Sequence, residues 1–462
     1  MSNNIKTDSR YIKPSKEKQV FYYIAVAFFV ALFVMPQYFG LPFPLFDLTV
    51  WRIMIVIVSL IIIFDEQKRQ LFFTTIVKTK YTWCLFPYLA VISYTMVLRA
   101  DINAFLNPVI ELYSLFLLVY LIKYVFGVKK TLKLIIIFAY ILAVLGMAEY
   151  LIGKSPFAYL ETIKGIYTGQ FIRSGHYRIM GPCVHSLGYG LLLIMIVPFS
   201  CFNVEKMELN IMANPLLFIM LTLNIVFTGS RSTLSVFFVE IFLIFIFSSK
   251  MRKKYFIFGG IIVLIFVVLF LMAFRNTGIA QYILLQISTI ADELFGTEFS
   301  MKYGASLTDL SSSSNYRDQL KYIFQVDWLN PLLGLGRKRA FACEINGSFI
   351  QSVDNFYIAE FVRYAYPGMI FYLFFLAAYV FNMLKAVFTK HSDLCKMLLI
   401  STVCYMINLL WLDSLQTLKY LYVVFAIFMA YSDIKDDDKC IRDDLYEDII
   451  TKVDSKYIRR KG

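Results

Sequence analysis

Long runs of apolar residues dominate the sequence, and each run ends at charged or turn-forming residues. An α-helix needs roughly 20 apolar residues to cross the hydrocarbon core of a bilayer. About twelve runs approach that length and predict membrane spans. They cover residues 20–35, 48–64, 81–98, 106–121, 134–152, 184–202, 211–228, 232–247, 256–274, 356–381, 397–411 and 418–431. The sequence therefore predicts an all-α, polytopic transmembrane helix bundle.

The distribution of basic residues predicts the orientation of this bundle. The formal net charge is +13, and basic clusters such as Lys68 with Arg69, and Lys129 with Lys130, fall in alternate connections. Cytoplasmic loops of membrane proteins carry an excess of Lys and Arg. This pattern places both termini in the cytoplasm and attributes the positive charge to topology. No nucleic-acid partner is expected.

One long connection divides the chain into regions. We predict a cytoplasmic N-terminal segment over 1–19, nine spans over 20–274, a long, partly helical outer loop over 275–355, three spans over 356–431, and a charged cytoplasmic tail over 432–462. Ser311–Ser314 resembles a flexible turn within the loop. Long loops in an otherwise compact bundle are usually functional.

The sequence lacks the motifs of metal and nucleotide chemistry. Its seven Cys residues are scattered, there are only three His residues, and no P-loop, dinucleotide fingerprint or HExxH appears. These absences predict no metal and no cofactor. Cys183 and Cys343 both fall on the predicted outer side, and a disulfide between them is left open.

Arginines at the predicted outer ends of spans are the first candidates for chemistry. Arg231 lies in FTGSRSTL, a short connection between two apolar runs. An Arg at such a position either extends to the lipid headgroups or meets an anion, and topology alone weighs the two equally.

Two further groups of basic residues flank the predicted site. Arg173, His176, Arg178 and His185 form a basic rim before the sixth span, where His185 is better explained as a hydrogen-bonded helix end than as a base. In the long loop, Arg317 follows Tyr316, whereas the run Arg337–Arg339 is better explained as a solvated loop edge.

The motif SVDNFYIAEFVRYAYPG marks the entry to the tenth span. Asp354 is well placed to cap the helix N-terminus. Glu360 and Arg363 lie three residues apart, on one helical face, and are expected to pair within the membrane. From the residues alone, the cap and the ion pair are the favoured interpretations.

These motifs, in this order around a long outer loop, resemble the O-antigen ligase and polymerase superfamily. FTGSRSTL is similar to the family's small-Ser-Arg turn, YRIMGPC to an earlier Arg and Gly pattern, and NYRDQLKYIFQVDWLNPLLGLG to the Arg, helix and proline-led glycine turn of the long loop. Ligases then carry His-Asn and two spaced glycines. This chain keeps Asn355 and Gly368 but has Asp354 for His and Ala365 for the first Gly, which resembles the Wzy-type polymerases.

The resemblance implies a metal-independent glycosyltransferase with the C-type architecture, located in the bacterial cytoplasmic membrane. Its partners would be an undecaprenyl-pyrophosphate-linked oligosaccharide donor, an acceptor, the bilayer and a chain-length regulator protein. The expected catalytic base is Asp354, followed by Glu360 and then His185. Pyrophosphate would be bound by Arg231, Arg317, Arg178 and Arg173. The residues expected to bind the sugar substrate are Asn355, Arg363, Tyr316 and Trp328. Tyr316 and Trp328 are equally well explained as loop core.

Two other functions remain open. A ligase of the same superfamily would use the same motifs. A lipid-linked oligosaccharide flippase would have to use the in-span charges Arg52, Lys419 and Arg363, although the chain shows no repeated halves.

Overall fold

The computed structural model describes residues 16–43, 47–167, 172–173, 175–304 and 316–432. Its helices are α1 Lys16–Phe33, α2 Val50–Phe64, α3 Glu66–Lys78, α4 Lys80–Arg99, α5 Asn103–Leu121, α6 Val128–Ile152, α7 Ser186–Ser200, α8 Pro215–Phe227, α9 Arg231–Phe247, α10 Lys250–Ala273, α11 Gly278–Phe295, α12 Phe356–Lys390, α13 Asp393–Asn408 and α14 Leu418–Ser432. The predicted turn at Ser311–Ser314 and most of the two predicted tails lie outside the described residues.

The strands are short and pair as local antiparallel hairpins. They are β1 Gly40–Leu41 with β2 Leu48–Thr49, β3 Ile172–Arg173 with β4 His176–Tyr177, β5 Phe202–Asn203 with β6 Glu208–Leu209, and β7 Cys343–Ile345 with β8 Ser348–Ile350. Each hairpin closes a connection between helices or a bend in the long segment, so the fold is helical in character.

Each predicted span coincides with one α-helix. Seven stretches of the described residues are long and apolar enough to cross a membrane: Lys80–Arg99, Asn103–Phe126, Val128–Ile152, Met251–Ala273, Phe356–Lys390, Asp393–Trp411 and Leu415–Ser432. Val50–Phe64, Ser186–Ser200 and Pro215–Phe227 are apolar but shorter. The chain is therefore an all-α integral membrane protein, while the number of about twelve spans stays a prediction.

One helix was absent from the prediction. α3 carries the basic residues Lys68 and Arg69 and is capped by Asp65, whose side chain accepts a hydrogen bond from the Lys68 backbone N–H. It buries only Phe72 and Thr75. Because its composition is polar, its sequence lacks the long apolar run that identifies a span.

The centre of the bundle consists of α5, α7 and α14. Nearly every side chain of α7 and α14 is buried, as is the second half of α5. α14 packs on α5, α13 on α7, and α12 on α4. By contrast, α10 exposes residues such as Phe258, Leu264 and Phe266, as expected of a helix that faces lipid.

α12 is broken at Ala365, where the backbone has φ 57° and ψ −166°. Pro367 follows the break and removes a backbone donor. The carbonyls that the break leaves without helical donors are satisfied by the long segment, because Leu335 N–H donates to Val362 O at 2.9 Å and Gly336 N–H to Arg363 O at 3.0 Å. The segment around Gly334–Gly336 is thus hydrogen-bonded into the helix.

Glycine is required where this segment meets the helix. A Cβ on Gly334 would lie 2.1 Å from the Arg363 carbonyl oxygen. Gly336 has φ +78°, and a Cβ there would lie 2.6 Å from Asp101 Oδ2. The same Asp101 oxygen accepts hydrogen bonds from the backbone N–H groups of Arg337 and Lys338, at 2.6 and 2.7 Å. These contacts hold the long segment on one end of the bundle, which we call the loop-bearing end.

The long segment has a small apolar core of its own. Leu320, Ile323, Phe341 and Ile350 are buried there together with Phe361 and other residues of the first half of α12. Cys343 lies in β7, whereas Cys183 is buried against the hydroxyl of Tyr420, and both are free thiols. The disulfide that the sequence left open is therefore absent.

Candidate active site

The connection between α8 and α9 is a tight turn that presents Arg231 at the first position of α9. Ser230 caps α9 because its hydroxyl accepts a hydrogen bond from the Thr233 backbone N–H at 3.3 Å. Gly229 has φ +59°, and a Cβ there would lie 2.6 Å from the Tyr282 hydroxyl and 3.0 Å from Arg178 Nε. The turn therefore needs glycine both for its backbone conformation and for space.

Arg178 packs directly on this turn. Its side chain is buried, and Nε donates a hydrogen bond to the Thr228 carbonyl at 2.7 Å. The next residue reinforces the contact, since Ile179 N–H donates to Phe227 O at 3.1 Å. Arg178 and Arg231 are 53 positions apart in the sequence, yet they belong to one structural unit at the loop-bearing end.

Glu149, which sequence reasoning missed, holds the segment that carries Arg178. Its carboxylate accepts hydrogen bonds from Met180 N–H at 2.8 Å, Gly181 N–H at 2.9 Å and the Tyr177 hydroxyl at 2.8 Å. Glu149 is fully buried near the end of α6. A single carboxylate in an apolar span is costly unless it is paired, and that cost was the signal available in the sequence.

The other members of the predicted basic rim differ in what they contribute. His176 packs its ring 4.6 Å from the Tyr282 ring, and burial lowers its pKa, so it adds little positive charge at neutral pH. For Arg173 the structure describes the backbone, which pairs with His176 in the β3–β4 hairpin.

His185 caps α7, as the sequence indicated. Its Nδ1 accepts a hydrogen bond from the Leu187 backbone N–H at 3.2 Å. Arg178 and Asp354 both lie close enough to influence its charge electrostatically. An Nδ1 that accepts this bond cannot take up a proton without losing the cap. The geometry therefore suits His185 to positioning its neighbours better than to acting as a base.

The expected cap at Asp354 is wrong, because the next residue caps α12. The side-chain oxygen of Asn355 accepts hydrogen bonds from the backbone N–H groups of Tyr357 at 3.0 Å and Ile358 at 3.1 Å. The Asp354 carboxylate instead accepts a hydrogen bond from the Ser352 hydroxyl at 2.9 Å. The helix begins one residue later than expected, which leaves the Asp354 carboxylate outside the helix terminus.

The predicted loop residues lie in two places. The Tyr316 hydroxyl donates a hydrogen bond to the Ser352 carbonyl, and its pKa is raised by burial and by the nearby Asp354 carboxylate. Arg317 follows Tyr316 and is half-buried. Trp328 stacks on Phe341, with ring centroids 5.8 Å apart, and leaves half of its surface exposed. The structure therefore brings Tyr316 close to Asp354, whereas Trp328 packs on Phe341.

Glu360 is the centre of a buried ionic network. The Tyr88 hydroxyl donates to its carboxylate at 2.8 Å, and Arg337 Nη2 donates to it at 3.2 Å. The expected pairing with Arg363 is present at 3.7 Å. Arg363 also forms a bidentate ion pair with Asp413, which includes a 2.9 Å hydrogen bond from Nη1 to Oδ1. These contacts occupy Arg363 and the Glu360 carboxylate in the protein's own structure.

The expectation of a solvated edge is wrong for Arg337 and right for its neighbours. The Arg337 side chain is only 11% exposed and donates to the Tyr364 hydroxyl at 2.9 Å as well as to Glu360. Burial would lower the pKa of Arg337, but Tyr364 and Glu360 raise it above its ordinary value. Lys338 and Arg339 are exposed. Arg337 escaped prediction because its side-chain partners, Glu360 and Tyr364, lie in α12.

Taken together, the loop-bearing end offers fixed guanidinium groups and a nearby carboxylate. Arg178 packs on the turn of Arg231, and both Arg178 and Asp354 act electrostatically on His185. Guanidinium groups stabilise the negative charge of a phosphate through bidentate hydrogen bonds. A carboxylate at a helix start can accept a proton from a hydroxyl. The arrangement can therefore stabilise a phosphorylated leaving group beside a proton acceptor.

Comparison with known protein families places this site in a known context. Residues 216–373 match the family model described as O-antigen ligase. The match begins in α8, includes the Arg231 turn, the long segment, Asp354 and the Glu360 network, and ends in α12 beyond the break. No curated protein matches the chain. This match over residues 216–373 supports the resemblance of the chain to the O-antigen ligase and polymerase superfamily.

Proposed function

We propose that the protein polymerises undecaprenyl-pyrophosphate-linked oligosaccharide repeat units into a cell-surface polysaccharide. The reaction would take place on the outer face of the bacterial cytoplasmic membrane, with both termini of the chain in the cytoplasm. The observation that carries the proposal is the packing of Arg178 on the turn that ends at Arg231. A guanidinium group on a tight turn, with a second one packed against that turn, is suited to a diphosphate.

In the proposed reaction, a hydroxyl oxygen of the acceptor sugar attacks the anomeric carbon of the donor chain. The new glycosidic bond forms as the bond from that carbon to the pyrophosphate oxygen breaks. The electron pair leaves with undecaprenyl pyrophosphate, and Arg231, Arg317 and Arg178 stabilise its negative charge. The acceptor proton goes to the base, and no oxidant or reductant is consumed.

We assign the base role to Asp354. Its carboxylate is not used as a helix cap, and it lies beside Tyr316 and within electrostatic range of His185. Glu360, the second candidate, already accepts hydrogen bonds from Tyr88 and Arg337. Protonation of Glu360 during catalysis would weaken two buried cation contacts, so a positioning role suits it better.

The polar residues around Asp354 would position the sugars. Tyr316 is hydrogen-bonded to Ser352 and presents its ring next to Asp354. Asn355 is committed to the cap of α12, and Arg363 to Asp413, so both would act by positioning rather than by contacting substrate. Trp328, half exposed on the long segment, would contact sugars further along the chain.

The test is a purified protein incubated with one synthetic lipid-linked repeat unit, with and without a foreign acceptor such as lipid A core. A ladder of products from the repeat unit alone supports polymerisation. Transfer of a single unit to the foreign acceptor, without a ladder, would replace the proposal with ligation. The absence of any new glycosidic bond, with movement of the substrate across vesicle membranes, would indicate a flippase. A chain-length regulator is the expected protein partner, and it would alter the ladder's length distribution.

A further inference from the structure

A second group of charges is buried at the same end of the bundle, outside the site described above. Arg52 in α2, Glu111 in α5 and Lys419 in α14 are each less than a tenth exposed. All three lie in apolar helices, where an ionised side chain is costly unless it is compensated. The group contains two cations and one carboxylate. Cations therefore outnumber carboxylates among these three residues.

These residues line a common pocket together with Trp51, Gln37 and Gln416. Arg52 is oriented by two hydrogen bonds, from Nη1 to the Asp47 carbonyl at 3.0 Å and from Nη2 to Asn107 Oδ1 at 2.9 Å. The Lys419 ammonium lies 5.5 Å from the centre of the Trp51 ring. The cations are thus held in fixed positions around the pocket, as in a binding site formed in advance of its ligand.

Two polar atoms of the lining residues indicate what kind of group the pocket can bind. Within the described part of the chain, neither Trp51 Nε1 nor Glu111 Oε2 has a hydrogen-bond partner, and both atoms are fully buried. Buried polar atoms are paired in the great majority of cases, by protein, water or a ligand. Trp51 Nε1 can only donate and Glu111 Oε2, when ionised, can only accept. A ligand that reaches both atoms would therefore offer a hydrogen-bond acceptor to Trp51 and a donor, such as a hydroxyl, to Glu111.

The pocket lies next to the candidate active site. The backbone N–H of Gln37 donates to the Pro182 carbonyl at 3.1 Å, and the Tyr420 hydroxyl contacts Cys183 Sγ at 3.7 Å. Pro182 and Cys183 lie between Arg178 and His185 in the chain. One short segment of the chain therefore separates the two sites.

We propose that this pocket binds an anionic group of a saccharide, a carboxylate or a phosphate with a neighbouring hydroxyl, and thereby selects acidic repeat units. Arg52, Lys419 and Trp51 Nε1 would bind the anionic oxygens, and Glu111 would accept the hydroxyl proton in a hydrogen bond. The identification of the ligand as part of a repeat unit rests on the proposed function. The anion site itself rests on the lining residues.

The experiment measures binding without turnover. The full-length protein in phosphatidylcholine nanodiscs is titrated with glucuronate, glucose or inorganic phosphate, and tryptophan fluorescence is recorded. We expect a saturable change with at least one of the two anions and none with glucose. The Trp51→Phe variant should lose that change, since it removes the reporter in the pocket. Glucuronate binding alone identifies a sugar carboxylate as the ligand, and phosphate binding alone identifies a phosphate group.

Two variants that change the charge of the pocket in opposite directions make the test sharper. Lys419→Met keeps the side-chain length and removes a cation, and it should weaken anion binding about tenfold, the effect of a charge interaction of about 1.4 kcal/mol. Glu111→Gln removes the like charge and should tighten anion binding several-fold, which also covers the case in which the Lys419 variant fails to fold. Lys338→Met, at an exposed position, is the matched control and should bind as the parent does.

Several outcomes would overturn the proposal. Glucose that binds as tightly as glucuronate, no saturable change with either anion, or unchanged anion affinity in both pocket variants would each do so. A protein that binds the anion but forms no ladder from lipid-linked repeat units would contradict the proposed function and leave the pocket intact. A ladder formed by a protein that binds no anion would contradict only the pocket.

Discussion

Arg337 Nη2, on the long segment, lies 3.2 Å from Glu360 Oε1, in the first half of α12. The two residues are 23 positions apart in sequence, and the pair is almost completely shielded from solvent. Together with the backbone hydrogen bonds from Leu335 and Gly336, this ion pair links the long segment to α12. Buried pairs of this kind are costly to break from one side, because the remaining charge loses its partner.

Arg337→Gln should therefore destabilise the protein by about 3 kcal/mol, the usual cost of leaving a buried charge without its partner. The measurement is the melting temperature of the detergent-solubilised protein, followed by fluorescence-detected size exclusion. Arg339→Gln, at an exposed position two residues later, is the matched control and should melt with the parent. Equal melting of the two variants would mean that the Glu360 pair contributes nothing to stability.

Gly334→Ala should displace the long segment from the broken helix. The added Cβ would lie 2.1 Å from the Arg363 carbonyl oxygen, so either the segment or the helix must move. Overpacking of this kind costs about 1–3 kcal/mol, and the melting temperature should fall accordingly. Gly278→Ala adds the same methyl group where no atom lies within 4 Å, and it should be neutral. A Gly334 variant as stable as this control would show that the segment adapts freely.

Ala365→Gly should stabilise the protein, which is unusual for a glycine introduced within a helix. Ala365 has φ 57° and ψ −166°, a conformation that costs a non-glycine residue about 1–3 kcal/mol. Ala377→Gly, at an exposed and regular position of α12, should instead lose about 1 kcal/mol. Melting curves of the two variants should thus shift in opposite directions. A shift in the same direction would argue against strain at Ala365.

Arg231→Ala and Arg317→Ala should abolish long polysaccharide chains in cells while protein levels stay normal. Removal of one fixed donor from a site that stabilises developing charge typically slows a reaction by roughly 10²–10³-fold. Gel electrophoresis of extracted polysaccharide, with immunoblotting of membranes, measures both quantities, and Arg339→Ala serves as the control. Chains of parental length in both variants would exclude a role for these arginines in binding pyrophosphate.

Asp354→Asn and Glu360→Gln should separate chemistry from structure. If Asp354 is the base, its amide variant should lose roughly 10²–10⁴-fold in turnover with an unchanged melting temperature. Glu360→Gln should lower the melting temperature because it removes the charge that Arg337 and Arg363 share. Turnover assays with synthetic lipid-linked repeat units measure the first effect. An Asp354 variant that keeps most of its activity would move the base role to Glu360.

The helices of this protein were predictable because a membrane span depends on local composition. Every predicted span coincides with a helix, since an apolar run in lipid must satisfy its own backbone hydrogen bonds. α3 was missed because its residues are polar and its position depends on contacts with α2 and α5. The distinction between Asp354 and Asn355 as the cap of α12 was also missed. A shift of one residue at a helix terminus does not alter the apolar pattern.

The site was predictable to the extent that its motifs are contiguous in sequence. His185 as a helix end and the pairing of Glu360 with Arg363 depend on neighbours within three residues, and both were confirmed. Arg337 was assigned to solvent because its partner lies in a different element, and Glu149 was overlooked because it meets Met180 and Gly181 across the bundle. Pairings across elements leave no periodic signal in the sequence.

The insertion of Gly334–Gly336 into the break of α12 has a consequence for protein engineering. The long segment and the first turns of α12 complete each other's backbone hydrogen bonds and share one apolar core. A transplant of this segment into a relative, made to change the polysaccharide produced, would therefore fail if it stopped at the start of the helix. The smallest exchangeable module therefore extends through Gly368, so that the long segment and the break in α12 are taken from the same protein.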